Sequence, residues 1–144
     1  MRLVDANVLV NAVNEASPLH AAAVGWLDAE LSSGETVGLD WTVLLAFVRL
    51  ATHRAIFERP LTVGQALAQV ESWLAAPRAR AVSPGPTHFA RLRDLLTEVG
   101  TGGNLTNDAH LAALALEFDA AVVTFDSDFA RFRGVKWLSP PPAG

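Results

Sequence analysis

Three aspartates carry the chemistry that this sequence offers. Asp5 directly follows the apolar pair Leu3-Val4, Asp126 comes two residues after the apolar run that ends at Thr124, and Asp108 opens an alanine-rich stretch just after Thr106. An acid at the end of a buried strand must leave the apolar layer and find donors or a cation, because an unpaired carboxylate in low dielectric is costly. Asp108 has a second available role, complementing the positive end of a helix dipole, and an Asx turn is open to Asp5 and Asp126. Three carboxylates within about 4 Å of each other would repel by several kcal/mol per pair at an effective dielectric of roughly 20, so such a cluster requires a cation or raised pKa values. Oxygen-only ligands favour Mg²⁺, with Mn²⁺ as the alternative, over Zn²⁺. Beside a substrate phosphate, that chemistry suits phosphodiester hydrolysis.

The elements that must position these acids follow from the pattern of the chain. Short apolar strands are expected at residues 3–4, 36–39, 79–82, 121–124 and 135–138. Between them, helical spacing predicts helices around 8–14, from Ser17-Pro18 to about Gly34, over 42–52, from a Thr62 cap to Pro77, over 86–99, and from a Thr106 cap to about Phe118. A short helical turn is expected around Asp128-Phe129, and the Pro140-Pro141-Pro142 tail ends regular structure. Strands alternating with helices predict an α/β sandwich, one domain over residues 1–144, with a mostly parallel central sheet flanked by helices. Ligands of such sheets bind at the carboxyl ends of the strands, which is where Asp5 and Asp126 fall.

Composition narrows the setting. The chain has 144 residues, half of them apolar, no Cys and no Tyr. The absence of cysteine removes disulfides, thiolate metal sites and Cys nucleophiles, and fits a reducing compartment. Asp5 interrupts any leader-like apolar stretch, and no apolar run approaches a membrane span, so a cytoplasmic protein with no membrane partner is expected. A net charge of −4 argues against non-specific coating of nucleic acid. Ten of the eleven basic residues are Arg, with close pairs at Arg78/Arg80, Arg91/Arg93 and Arg131/Arg133 that could guide a phosphate chain locally.

Three blocks then resemble a known family. Leu3-Val4-Asp5-Ala6-Asn7-Val8-Leu9, Asn107-Asp108-Ala109-His110-Leu111-Ala112-Ala113-Leu114-Ala115 and Val123-Thr124-Phe125-Asp126-Ser127-Asp128-Phe129 are similar, in order and spacing, to the signature blocks of PIN-domain ribonucleases, specifically VapC-type toxins of bacterial toxin–antitoxin pairs. The segment from Leu39 to His53 resembles one branch of that family. The resemblance implies a PIN fold, Mg²⁺-dependent endonucleolytic cleavage of RNA, inhibition by a small VapB-type antitoxin, and pairing into homodimers. It implies Asp5, Asp108 and Asp126 as catalytic metal ligands, supported by Asn7, Thr124 and Asp128. The antitoxin's inhibitory tail is expected against the helices from Trp41 to Arg59, with an Arg competing for the carboxylates.

One position departs from the family pattern. A Glu common in the helix after the second strand is Ala46 here, which predicts a three-acid site; Asp40 stands where it could compensate or merely cap that helix. A non-catalytic RNA-binding module that has lost turnover is therefore the alternative function. A haloacid-dehalogenase phosphatase is disfavoured, because Asn7 replaces the second Asp that chemistry wants and the only Lys is Lys136. His20, His53, His88 and His110 are scattered, with no catalytic histidine expected, and Gly100 to Asn104 lacks the Gly-Lys-Ser/Thr ending of a nucleotide loop. Trp26, Trp41 and Trp73 are expected in the core or at an interface.

Overall fold

A computed structural model describes residues 1–144. Five strands, Arg2–Val4 (β1), Val37–Asp40 (β2), Ala79–Val82 (β3), Ala121–Val123 (β4) and Lys136–Leu138 (β5), form one sheet in the order β3-β2-β1-β4-β5. Every pairing is parallel. The central strands are covered on both faces: Leu3, Val4, Val37, Leu39, Val122 and Val123 are all fully buried. Such strands need apolar residues on both sides of the pleat, which is why their runs do not alternate.

Six helices fill the connections: Ala6–Val13 (α1), His20–Ser33 (α2), Trp41–Ala51 (α3), Val63–Leu74 (α4), His88–Val99 (α5) and Leu105–Phe118 (α6). A 3-10 helix, Ser127–Arg131, joins β4 to β5. The chain steps from β1 to β2 to β3 in one direction and then returns to β4 on the far side of β1. Right-handed crossovers place α1–α4 on one face and α5–α6 on the other. Packing agrees, with α1 against α2 and α3, α3 against α4, and α5 against α6. The result is a three-layer α/β sandwich whose strand order reverses between β1 and β4. No helix is long and apolar enough to cross a membrane.

Local chemistry sets the boundaries. Thr62 and Gln65 form a reciprocal capping box at α4. β2 runs one residue later than expected, so Asp40 ends the strand and also caps α3 by accepting from the Thr42 N–H at 3.1 Å. Thr106 does not cap its helix: α6 starts at Leu105, and Asn104 holds the N-cap position without a side-chain cap bond. The chain reaches that point through Gly100 and Gly103, at φ 79° and 57°, left-handed conformations that glycine adopts without a Cβ clash. Trp26 and Trp73 join the core as expected, whereas Trp41 is 49% exposed.

Phe47 lies at the centre of the α3–α4 layer, fully buried, with its ring edge-on to Trp73 at 4.7 Å. Phe47→Ala should destabilise the fold by about 3–5 kcal/mol, since the cavity cannot collapse against the rigid sheet. Equilibrium unfolding in urea with an unchanged m-value checks this.

Candidate active site

The reversal between β1 and β4 brings the first and last signature blocks side by side. Asp5 leaves the end of β1 and caps α1, its Oδ1 accepting from the Ala6 N–H at 2.7 Å. Thr124, directly after β4, is fully buried and donates its hydroxyl to Asp5 Oδ2 at 2.8 Å. The same Thr124 oxygen accepts from Asn7 Nδ2 and from the Asp126 N–H, each at 3.0 Å. Asn7 Nδ2 also reaches Asp5 Oδ2 at 3.3 Å, and its Oδ1 accepts from the Phe125 N–H at 3.1 Å. One buried hydroxyl therefore ties Asp5, Asn7 and the backbone of Asp126 into a single unit.

Asp126 and Asp128 have a local explanation as well. Asp126 caps the 3-10 helix, its Oδ1 accepting from the Asp128 N–H at 2.9 Å. Asp128 is exposed in the first turn of that helix. Asp108 arrives from the opposite layer. Because α6 leads back into β4 through a left-handed turn at Asp119, the helix runs against the strand and its first turn lies at the carboxyl edge of the sheet.

Electrostatics show that the acids face one another. Burial, followed by the charges of Asp5, Asp126 and Asp128, pushes the Asp108 carboxyl up from its ordinary 3.8 to about 6. Burial also raises Asp5; the bonds from Thr124 and Ala6 pull it back down, and the charge of Asp126 adds to the rise. No hydrogen bond offsets the repulsion at Asp108. Clustered carboxylates with too few donors are what a divalent cation neutralises.

The donor set fits a hard cation, since it is all oxygen. It does not form a closed cage: no three His, Asp or Glu side chains are drawn together tightly enough to enclose an ion by themselves. Mg²⁺ commonly keeps several waters and takes one or two carboxylates plus substrate phosphate, so an open site suits it. Ala46 supplies no donor from α3. Asp40 does not take its place among the charges acting on Asp108. Its Oδ2 is occupied by the Thr42 N–H and by His110 Nε2 at 3.0 Å.

Two histidines that look scattered in the sequence meet here. His110 Nδ1 lies 2.9 Å from His88 Nε2, at the start of α5, with the rings edge-on. Burial and the neighbouring His110 lower the His88 pKa. Sequence spacing could not reveal this contact, because it depends on how α5 lies against α6. The arginine pairs are dispersed over the surface; Arg131, at the end of the 3-10 helix capped by Asp126, is the one nearest the acids in sequence.

The raised Asp108 pKa has a sign. In metal-free protein the folded state disfavours the ionised carboxylate, so above about pH 6 this group costs stability, and that cost is relieved as the pH falls from 6 toward the unfolded value. Asp108→Asn should therefore stabilise the chain in EDTA at pH 7.5 by about 1–2 kcal/mol, allowing for solvent screening of a half-buried group. Mg²⁺ should raise the Tm of the parent and leave that of the variant nearly unchanged. Calorimetry with and without the ion checks both.

Comparison with known proteins agrees with this architecture. A PIN-domain model matches residues 2–135. The chain is 55% identical over 141 residues to Ribonuclease VapC37 of Mycobacterium tuberculosis, covering 98% of each, and 41% identical to Ribonuclease VapC31 of the same species, covering 98% and 99%. The solved complex of VapBC2 from Rickettsia felis bound to a promoter DNA fragment superposes with a TM-score of 0.72 at 18% identity, covering 96% and 97% of the two chains. The sarcin–ricin loop cleaving toxin VapC20 of M. tuberculosis gives 0.68 at 18% identity, covering 94% and 99%. By the reach of the family model and the identity to these relatives, the chain belongs to the PIN-domain family, among its VapC ribonucleases.

Proposed function

We propose that this chain is the toxin of a VapBC-type pair, an endoribonuclease that hydrolyses RNA phosphodiester bonds at the cleft of Asp5, Asp108 and Asp126 with Mg²⁺ as its ion. The observation that carries the reading is the buried Thr124 hydroxyl that ties Asp5, Asn7 and the backbone of Asp126 together at the carboxyl edge, with the charges of Asp5 and Asp126 acting on Asp108. The curated relatives named above are ribonucleases, and nothing favours a module without turnover. Nucleases of this family depend on a divalent metal, and the oxygen-only donors favour Mg²⁺ or Mn²⁺.

When bound, the ion supplies positive charge beside the scissile phosphate and makes a water more acidic. The chain's own residues do the rest. Thr124 and the Ala6 N–H donate to Asp5 and fix its two oxygens. Asn7 locks the β1 and β4 ends together, which sets the spacing of Asp5 and Asp126. Asp108 closes the cleft from the other layer, and Asp128 adds negative charge at its rim. Arg131 offers a guanidinium for the phosphate chain.

The antitoxin reading has support on the other layer. Trp41 and Leu45, one turn apart on α3, are 49% and 63% exposed, and Ile56 is 48% exposed. Nearby, Phe57, Arg59 and Leu61 line a groove of about 400 Å³ with Val13, Asn14 and Glu15. An inhibitory tail with apolar anchors for Trp41, Leu45 and Ile56 and polar groups for Glu15, Glu58 and Arg59 fits such a surface. A homodimer would use exposed apolar surface of the same kind.

Purified chain should cut RNA only with Mg²⁺ or Mn²⁺, and Asp5→Ala or Asp108→Ala should lower the rate at least about 100-fold. Gel analysis over a metal series measures this; undiminished cleavage by the Asp5 variant would overturn the mechanism. Ala46→Glu should lower the Mg²⁺ concentration needed for half-maximal rate. Co-expression with the product of the adjacent gene should yield a stable complex that Trp41→Asp weakens, and failure to co-purify would sink the toxin–antitoxin assignment.

A further inference from the structure

Asp40 and Thr124 are the two buried polar side chains of the molecule: Thr124 fastens the ends of β1 and β4, and Asp40 caps α3. Asp40 is 3% exposed, and its carboxylate accepts from the Thr42 N–H and from His110 Nε2. On its other side the His110 ring meets α5, its Nδ1 lying within hydrogen-bond distance of His88 Nε2 at 2.9 Å. The three side chains form a continuous chain of hydrogen bonds from α5 through α6 to the junction of β2 and α3. That chain joins the two helical layers across the edge of the sheet.

The place where it ends on α6 matters. His110 follows Asp108 by two residues and so points about 200° around the helix from it. Asp108 receives no hydrogen bond of its own, and its location is set entirely by the helix that carries it. That helix starts weakly: Asn104 makes no side-chain cap bond, and the approach runs through left-handed Gly100 and Gly103. Leu105, Ala109, Leu111 and Ala112 are the buried apolar residues of the first two turns, and His110 provides their polar fastening.

We propose that Asp40 and His110 are positioning residues that hold the first turns of α6 in register with the sheet and so place Asp108 against Asp5. Where the family pattern has a carboxylate from α3, this chain has Ala46, and α3 contributes through its cap residue, mechanically rather than as a ligand. The inference rests on the proposed metal cleft, and its test separates the two.

Mn²⁺ binding to the full chain, followed by electron paramagnetic resonance, would be compared for the parent, His110→Met, His110→Gln and Asp108→Asn. Hydrogen exchange of the peptide covering residues 105–112 would be measured on the same samples. Met keeps the volume and loses the donor; Gln keeps an N–H near the Nε2 position. His110→Met should weaken Mn²⁺ about tenfold, with faster exchange in the peptide and a lower kcat at unchanged KM for RNA. His110→Gln should stay within about twofold of the parent. Unchanged Mn²⁺ affinity in His110→Met, or equal losses in Met and Gln, would overturn the proposal. If Asp108→Asn binds Mn²⁺ like the parent, the cleft reading is the one that fails, and exchange alone then decides whether the tether holds α6. Should His110→Met not fold, Asp40→Asn combined with His110→Met removes the tether without leaving an unpaired buried charge, and the same comparisons apply.

Discussion

The hydroxyl of Thr124 is the point at which the ends of β1 and β4 are fastened. It makes three hydrogen bonds in a fully buried position, one to the Asp5 carboxylate and two from the Asn7 amide and the Asp126 N–H. Loss of a buried partner leaves the remaining groups with their full desolvation cost, so this interaction constrains more than its own strength suggests. On the β1–β4 side of the carboxyl edge, the carboxylate that caps α1, the side chain of Asn7 and the turn that presents Asp126 all bond to it. A valine at this site would fill the same space and preserve none of these roles.

Against that rigid side stands a deliberately uncomfortable one. Asp108 faces other acids without a donor, and a fold selected only for stability would have a neutral residue there. Strain of this sort is tolerated where a ligand relieves it. The two layers thus have opposite characters. The α1 side finds its donors within the chain, whereas Asp108 on the α6 side finds none.

Much of the architecture could be read from the chain because its signals are strong. Parallel strands buried on both faces show as short apolar runs, and β3 was expected at the same residues where it forms. Asp5 and Asp126 stand out in the sequence because each closely follows such a run. The errors came where one residue does two jobs or where a local signal lost to packing. Asp40 both ends β2 and caps α3, which moved the strand by one residue. Thr106 looks like a cap, yet Leu105 is buried and draws the helix start two residues earlier. The junction of Asp40, His110 and His88 was invisible: its members are 22 and 70 residues apart, and no periodicity connects them.

The bond between Thr124 and Asp5 spans 119 residues of chain, and β1 at the centre of the sheet waits for β4 to cover its open side. Contacts of such long range form late in folding. During synthesis, then, the amino-terminal half can collapse around β1, β2 and β3 while the cleft does not yet exist. A chain cut short before β4 lacks Thr124 and Asp126, so the fastening of the carboxyl edge is a property of the nearly complete chain alone.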